Sequence, residues 1–441
     1  MAISEKLPIV AFGLSATLLV FLLGFADAYY GWWPSSAIRS AIEGAEQIEE
    51  DYHLKRHSHP ARPGFETGVR RLGSGSLQPG TTLITSLWKE HGGVAGARLI
   101  DAEGKVLGHY VTDPFEIWPE NPYTDGLKDL FYIQSNYIHG TWLFPDGDLL
   151  FNIEYLGLVR MAPDGTVRWK SGRRTHHSIA RNEDGNFWVC GLNFRELPTD
   201  ALQFRGLKLP FVEDLAVLYS PDGEVLKEVS ILKALFQNGL DRLISQRLAP
   251  DPVADDVTHM NDVEELSAEM ADQYPMFEAG DLLVSLRDTH TVLVLDPDTL
   301  EIKWFDAAHT IRQHDPDFIG DGWISVFDNN PDGEFNGALR MGTRLLGLRP
   351  HTGEVKVIYP EPDPTDLQPF YSTVGGKAEL LPNGNWLILE ATGGRVVEFD
   401  QNGNDLWEYC HEIQDSGLVC EVLGGSRVPY DAATIRSWFA R

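Results

Sequence analysis

From about Thr82 onward the chain alternates short apolar runs of Val, Ile, Leu, Phe and Trp with turns rich in Asp, Asn and Gly. Five long copies of this theme are legible. They are FPDGDLLFNIEYLGLVRMAPDGTVRWK from Phe144, NEDGNFWVCGLN from Asn182 completed by LAVLYSPDGEVLKEV, AGDLLVSLRDTHTVLVLDPDTLEIKWF from Ala279, GDGWISVFDNN from Gly320 completed by TRLLGLRPHTGEVKVIY, and PNGNWLILEATGGRVVEFDQNGNDLWEY from Pro382. A fainter copy, ARLIDAEGKVLGHY, starts at Ala97. An x-Asp/Asn-Gly turn between β-branched and aromatic runs is hairpin chemistry, because Gly and Asn accept the left-handed turn positions at little steric cost. Six such units predict an all-β six-bladed β-propeller, in which each sheet packs between two neighbours and few edges stay free. A β-sandwich would explain the strands but not a repeat along the full length. Residues 230–248 break the pattern with Ile231, Leu235 and Leu243 at helical spacing. They predict a helical insertion, either packed on a blade edge or capping the central mouth.

Ahead of the repeats, residues 7–26 read LPIVAFGLSATLLVFLLGFA, with no charge. A run of about 20 apolar residues is long enough to cross a bilayer as a helix. Tyr29, Tyr30, Trp32 and Trp33 follow it, where an interfacial aromatic belt would sit, and Lys6 is the one basic residue before it. Residues 1–33 are therefore expected to be a membrane anchor, with the body on the extracytoplasmic side of the cytoplasmic membrane. The competing reading is a signal peptide cut at Ala26-Asp27-Ala28, although the apolar run exceeds the usual ~7–15 residues. Residues 34–81 read as a juxtamembrane helix, with Ile38, Ile42, Ala45 and Ile48 on one face, and a Pro- and Gly-containing linker in which His57 and His59 are expected to be solvated. Residues 82–441 form the propeller.

Charge narrows the partners. The 441 residues carry 36 Lys+Arg against 65 Asp+Glu, a formal net charge of −29, which repels phosphate backbones and excludes nucleic acid as a partner. Three cysteines, Cys190, Cys410 and Cys420, give neither a disulfide scaffold nor a C-x-x-C metal knuckle.

Four motifs carry candidate chemistry: Thr175-His176-His177-Ser178, His259-Met260-Asn261-Asp262, Ser285-Leu286-Arg287-Asp288 and Gln313-His314-Asp315. All four are expected near the starts of successive blades, where innermost strands from separate blades converge on one channel. Imidazoles, an amide and a permanently charged, planar guanidinium make a pocket for a sulfate, phosphate or carboxylate.

The order of these motifs resembles the bacterial arylsulfate sulfotransferase family. It runs His-His before a D-G-N strand, H-x-N, S-x-R, Q-H-D followed by D-G and then Asp328-Asn329, and a Ser-containing segment before L-P-N-G-N, residues 372–385. The resemblance spans roughly residues 82–409. It implies a six-bladed propeller outside the cytoplasmic membrane that moves a sulfuryl group from a phenolic sulfate ester to a phenol, without a nucleotide donor. It further implies His314 as the transiently sulfated nucleophile, His177 as a sulfuryl-binding acid/base, and His176, His259, Asn261 and Arg287 as groups that hold the substrate. No cofactor and no metal are expected.

A two-step transfer through a neutral imidazole predicts ping-pong kinetics. Unlike better-known soluble members, the chain has an anchor and linker instead of an N-terminal β domain, and no cysteine lies between Arg287 and His314. Two other readings stay open: a metal-dependent propeller lyase or hydrolase built on the converging histidines, and a membrane-tethered scaffold without catalysis.

Overall fold

A computed structural model describes Leu18 and residues 57–441, except 127–136, 198–203, 205–206, 208, 247–255, 334–336, 368, 415 and 441. Apart from Leu18, the expected anchor lies outside the described residues, as does the expected juxtamembrane helix; among the described residues no helix is long and apolar enough to cross a membrane.

Six antiparallel sheets follow one another along the chain. Blade two is Thr141–Leu143, Leu149–Ile153, Gly157–Met161 and Val167–Ser171; blade three is Thr175–Arg181, Phe187–Arg195, Phe211–Tyr219 and Val225–Ser230. Blade four is Met260–Glu265, Leu282–Leu286, Thr291–Leu295 and Ile302–Asp306, and blade five is His314–Phe318, Ile324–Asp328, Arg344–Arg349 and Glu354–Tyr359. Blade six contains Lys377–Leu380, Trp386–Glu390, Arg395–Phe399 and Asp405–Cys410, with Gly68–Arg71 added outside as a fifth strand. Blade one closes the ring. Its outer strands Thr81–Trp88, Val94–Ile100 and Val106–Val111 receive their innermost partner, Val422–Val428, from the other end of the chain. The hairpin signals therefore produce the six-bladed propeller that the repeat predicts.

Packing explains why the second strand of each blade is so apolar. Leu149–Ile153, Leu282–Leu286, Ile324–Asp328 and Trp386–Glu390 are buried at every position, covered on both faces by neighbouring blades. Fully burying each such Leu, Ile, Val or Phe side chain contributes about 1.5–3 kcal/mol. The outer strand Val167–Ser171 instead alternates with solvent. The insertion forms the helix Ile231–Gln237, capped by the Ser230 hydroxyl on the Lys233 N–H, and a 3₁₀ turn at Asp241–Gln246. Ile231, Leu232, Leu235 and Leu243 join the core between blades three and four, and Asn238 donates to the Leu300 carbonyl, so this segment packs on a blade edge.

One local device shapes the channel. The first residues of the inner strands of blades three, four and five carry a register shift, at His176/Ile179, Met260/Asp262 and His314/Asp317. A bulge inserts a residue into one strand and re-aims its side chain. Here His177, His259 and Asp315 take left-handed backbone angles, φ 49°, 48° and 50°. Non-glycine residues in that region cost of the order of 1–3 kcal/mol each, a strain that clusters at functional sites.

Candidate active site

The bulges bring His177, His259 and His314 together from three blades. All three are buried. The His177 ring lies 5.1 Å from His259 and 6.2 Å from His314, centroid to centroid. His176 stands beside His177, with the two Nδ1 atoms 2.9 Å apart, and its Nε2 lies 3.6 Å from Asp214. The Ser285–Asp288 motif is not at a blade start, as expected, but at the end of the second strand of blade four, inside the same blade as His259. The Arg287 N–H donates to the His259 carbonyl at 3.1 Å, so one hairpin ladder delivers both side chains. Burial disfavours the Arg287 charge, but Asp288, whose Oδ1 accepts from Nε at 2.8 Å, outweighs it and keeps the guanidinium cationic. Arg312 shares that carboxylate at 3.4 Å.

The proton on His314 is placed by a neighbour. Asn329 donates through Nδ2 to the carbonyls of Ser372 (3.0 Å) and Gly375 (2.7 Å), so its Oδ1 must face His314 Nδ1, 2.7 Å away. An amide oxygen only accepts, so His314 carries its proton on Nδ1 and leaves a lone pair on Nε2. Burial drives the His314 pKa well below the usual imidazole value, and Arg287 adds to that against the Asn329 bond. His314 is a neutral imidazole with a fixed tautomer.

His259 is the opposite case. Burial and Arg287 press its pKa down, yet Asp256, 2.6 Å from Nδ1 and bonded to the His259 N–H at 3.0 Å, raises it overall. His177 is held far below the ordinary value by burial and by His139, His259, His176 and His314. Asn261 spends an N–H on the Gln313 carbonyl at 2.8 Å, and its Oδ1 is buried with no hydrogen-bond partner among the described residues. What Asn261 lacks is a donor, whereas gripping an anion asks it to donate.

Sequence reasoning missed the whole contribution of blade two. His139 stacks on His177 at 4.6 Å and 22°, and Glu154 lies 3.5 Å from His139 Nε2. The signal was present: His139, His177 and His314 each stand eight residues before the glycine of their blade's Asp-Gly turn, Gly147, Gly185 and Gly322. Tyr155, next to Glu154, sits at φ 60° with its ring 5.5 Å from His176. His57 and His59, expected to be solvated, instead lie on the buried Glu421 at 3.5 and 2.6 Å, where Ser58–Pro60 pairs with Leu418–Cys420. Their position in a Pro-rich stretch hid a partner more than 300 residues away. Cys410 and Cys420 are free, buried thiols.

His139, Glu154 and His177 offer three metal-ligating atoms within 4.8 Å of one another. A metal must lie near both imidazole planes, at about 2.0–2.1 Å from each nitrogen. Rings stacked at 22° have nearly parallel lone pairs that do not meet at that distance, so this trio does not fit an ion as it stands.

Beyond the bulges the channel widens into a cavity of about 670 Å³ that also reaches His139. Its walls come from later residues of the inner strands, among them Glu264, Asp317, Lys377, Glu379 and Arg427. This largely acidic funnel lies further along the inner strands than the imidazole cluster, and His139 borders both.

No curated protein matches the chain. Among solved structures, a protein of unknown function from Bacteroides caccae is 12% identical over 79% of this chain and 98% of its own, with TM-score 0.48. A streptogramin B lyase is 12% identical over 78% and 88%, with TM-score 0.38, and the WD40 propeller domain of Doa1 is 11% identical over 83% and 95%, with TM-score 0.40. The family description Arylsulfotransferase (ASST) matches residues 144–412, which take in His176, His177, His259, Asn261, Arg287, His314 and Asn329 but not His139. The chain belongs to the arylsulfotransferase family.

Proposed function

We propose that the protein moves a sulfuryl group from an aryl sulfate ester to a phenol, through a sulfohistidine on His314 and without a nucleotide donor. The observation that carries this reading is the Asn329 bond, which leaves His314 Nε2 as a lone pair inside a pocket of donors. Sulfuryl transfer resembles phosphoryl transfer in spreading charge over three equatorial oxygens, so it asks for an in-line nucleophile and preorganised positive groups. Arg287 and protonated His259 supply those groups.

In the first half-reaction Nε2 of His314 attacks sulfur while the ester S–O bond breaks. The electron pair leaves with the phenoxide, which takes a proton from His177. In the second half the acceptor phenol gives its proton to His177, with Asn261 Oδ1 accepting from the phenol O–H as it docks. The phenol oxygen attacks sulfur, and the N–S bond returns its pair to Nε2. His177 is neutral before the donor binds and takes up a proton from water on binding, its proton affinity raised by the sulfate's negative charge; the proton it gains from the acceptor phenol restores that state for the next cycle. Residues 7–26 tether the body to the cytoplasmic membrane on its extracytoplasmic side.

The test uses the detergent-solubilised full chain with a chromogenic aryl sulfate. Wild type is expected to release phenol only when an acceptor phenol is added, and His314→Asn to release none. Undiminished turnover by that variant would overturn the nucleophile assignment. Silence of the wild type across varied donors would favour the scaffold, and activity lost with one equivalent of metal on chelation would favour the metal-dependent reading.

A further inference from the structure

We infer that His139 and Glu154, from a blade that none of the four sequence motifs touches, are positioning residues that fix the ring plane and the proton affinity of His177. The inference rests on the sulfuryl-transfer reading for what His177 does, and on geometry for how it is held.

The pair is built in, not incidental. His139 precedes the inner strand of blade two and Glu154 follows the second strand; the Glu154 N–H donates to the Tyr137 carbonyl (2.9 Å) and the Asn152 N–H to the Gly140 carbonyl (3.3 Å), so a hairpin ladder sets them side by side. The Asn152 side chain donates to the His177 carbonyl at 2.7 Å, tying that ladder to the next blade. Two glycines permit the approach. A Cβ on Gly140 would collide with the His177 carbonyl oxygen, and one on Gly424 with the His139 carbonyl oxygen. The Tyr137 ring packs against His139 at 4.3 Å, tilted by 55°, and is itself anchored by its O–H on Glu421 at 2.7 Å. His139 therefore touches Tyr137 as well as stacking on His177, and rotating it would disturb both contacts.

Charge completes the argument. Every titratable ring that faces His177 is an imidazole: His139 from blade two, His176 from its own strand, His259 from blade four and His314 from blade five. Asp214 lies behind His176 and Asp256 behind His259, each engaged by its own partners. Glu154 is the carboxylate placed within 4.8 Å of a His177 nitrogen. Burial alone would raise its carboxyl, but the bond to His139 and the charges of His139, His176 and His259 hold it below the ordinary value, so it stays ionised. An opposite charge at about 4–6 Å favours a protonated imidazole by roughly 1–3 pKa units. The strongest of the charges that lower His177 is that of His139, and Glu154 beside His139 offsets it, so His177 can take up the proton that the leaving phenoxide needs.

The test compares Glu154→Gln, His139→Phe and His139→Ala in the full chain. Removing the carboxylate makes protonated His177 less stable, so the alkaline limb of the kcat profile for the donor half-reaction should move down by about 1–2 pH units, and kcat at neutral pH should fall about 10- to 100-fold. KM for the aryl sulfate should not rise, because a negative charge has left an anion pocket. His139→Phe keeps the stack and should lose less than His139→Ala. A purely structural role predicts a raised KM and a lowered melting temperature with the pH limb in place, and that result overturns the inference. A second readout is independent of turnover: NMR titration of the His177 ring signal, assigned by its absence in His177→Asn. Its midpoint should fall in Glu154→Gln, and an unchanged midpoint rejects the positioning role while leaving sulfuryl transfer intact. Wild type without sulfuryl turnover, but with the shifted midpoint, rejects the function and keeps the coupling.

Discussion

Two successive stretches of the same inner strands hold opposite chemistry. In the imidazole cluster, His314, His259 and Asn261 come from the first residues of the inner strands of blades four and five; a residue or more further along, Asp262, Glu264, Asp315 and Asp317 belong to the acidic funnel. Burial acts on both sets in the same way, favouring the neutral form. It pushes His177 and His314 well below the usual imidazole value, and it raises Asp262 to about 7, Glu264 to about 8 and Asp317 well above the carboxylate range, with mutual repulsion among the carboxylates adding to the rise. His177 and His314 are poised by losing protons and the funnel carboxyls by keeping them, whereas Asp256 holds His259 to its proton. What separates the two stretches is the partner set: Asn329, Asp256 and Asp288 pair with His314, His259 and Arg287, whereas in the funnel Lys377 lies 2.7 Å from Asp315 and Glu264 accepts from the Phe318 N–H at 2.8 Å. Under the sulfuryl-transfer proposal, fixed partners around His314, His259 and Arg287 are what would set the reacting groups apart from groups that are merely buried.

That contrast can be broken by experiment. The largest effect should come from Asn329→Leu, which removes the acceptor that fixes the His314 tautomer; kcat should fall by about 10²- to 10⁴-fold, against less than about 3-fold for Asp317→Asn in the funnel, both measured by aryl sulfate turnover. Equal losses would mean that the funnel shares the chemistry. Next, Gly140→Ala should cost about 1–3 kcal/mol by overpacking and lower kcat at least about tenfold, read from chemical denaturation alongside kinetics. If activity survives unchanged, the contact between blade two and His177 is not needed.

Stability against pH should show the two stretches pulling in opposite directions. Glu264 binds its proton up to about pH 8 when folded but only to about its ordinary 4.5 when unfolded. The stability tied to that proton is present below the unfolded value and is lost as pH rises through 8. His177 and His314, depressed below the usual 6.5, contribute stability above it that is lost as pH falls. Glu264→Gln should therefore match the wild type near pH 5 and exceed it near pH 9 in denaturation midpoint; a variant weaker at both would show that the carboxyl packs rather than titrates. The smallest effect concerns the shell. With a net charge of −29 repelling an anionic donor, kcat/KM should rise by no more than about threefold as salt increases from roughly 20 to 200 mM.

The blades were legible because a hairpin leaves a local signature. Asp-Gly turns and apolar strands lie within a few residues of each other, and even the faint copy at Ala97 falls in the two outermost strands of blade one. The site residues at blade starts were legible for a related reason, since a repeat turns position in sequence into position around a ring. What stayed hidden has no local trace. Glu154 is one acidic residue among 65 Asp+Glu, distinguished only by the stack it faces, and Asn329 matters through carbonyls more than 40 residues ahead. His57 and His59 looked solvated because their partner, Glu421, follows a strand at the other end of the chain. Arg287, expected at a blade start, instead stands at the end of the second strand of blade four beside His259, a placement that depends on strand pairing rather than on any local pattern.

Closure of blade one by Val422–Val428 also completes the packing around the imidazoles. Glu421, immediately before that strand, holds Tyr137, His57 and His59, and Gly424 within it admits His139. The wall beside His139 is thus finished by residues more than 280 positions later in the sequence. The seam that closes the ring is also the seam that completes the pocket.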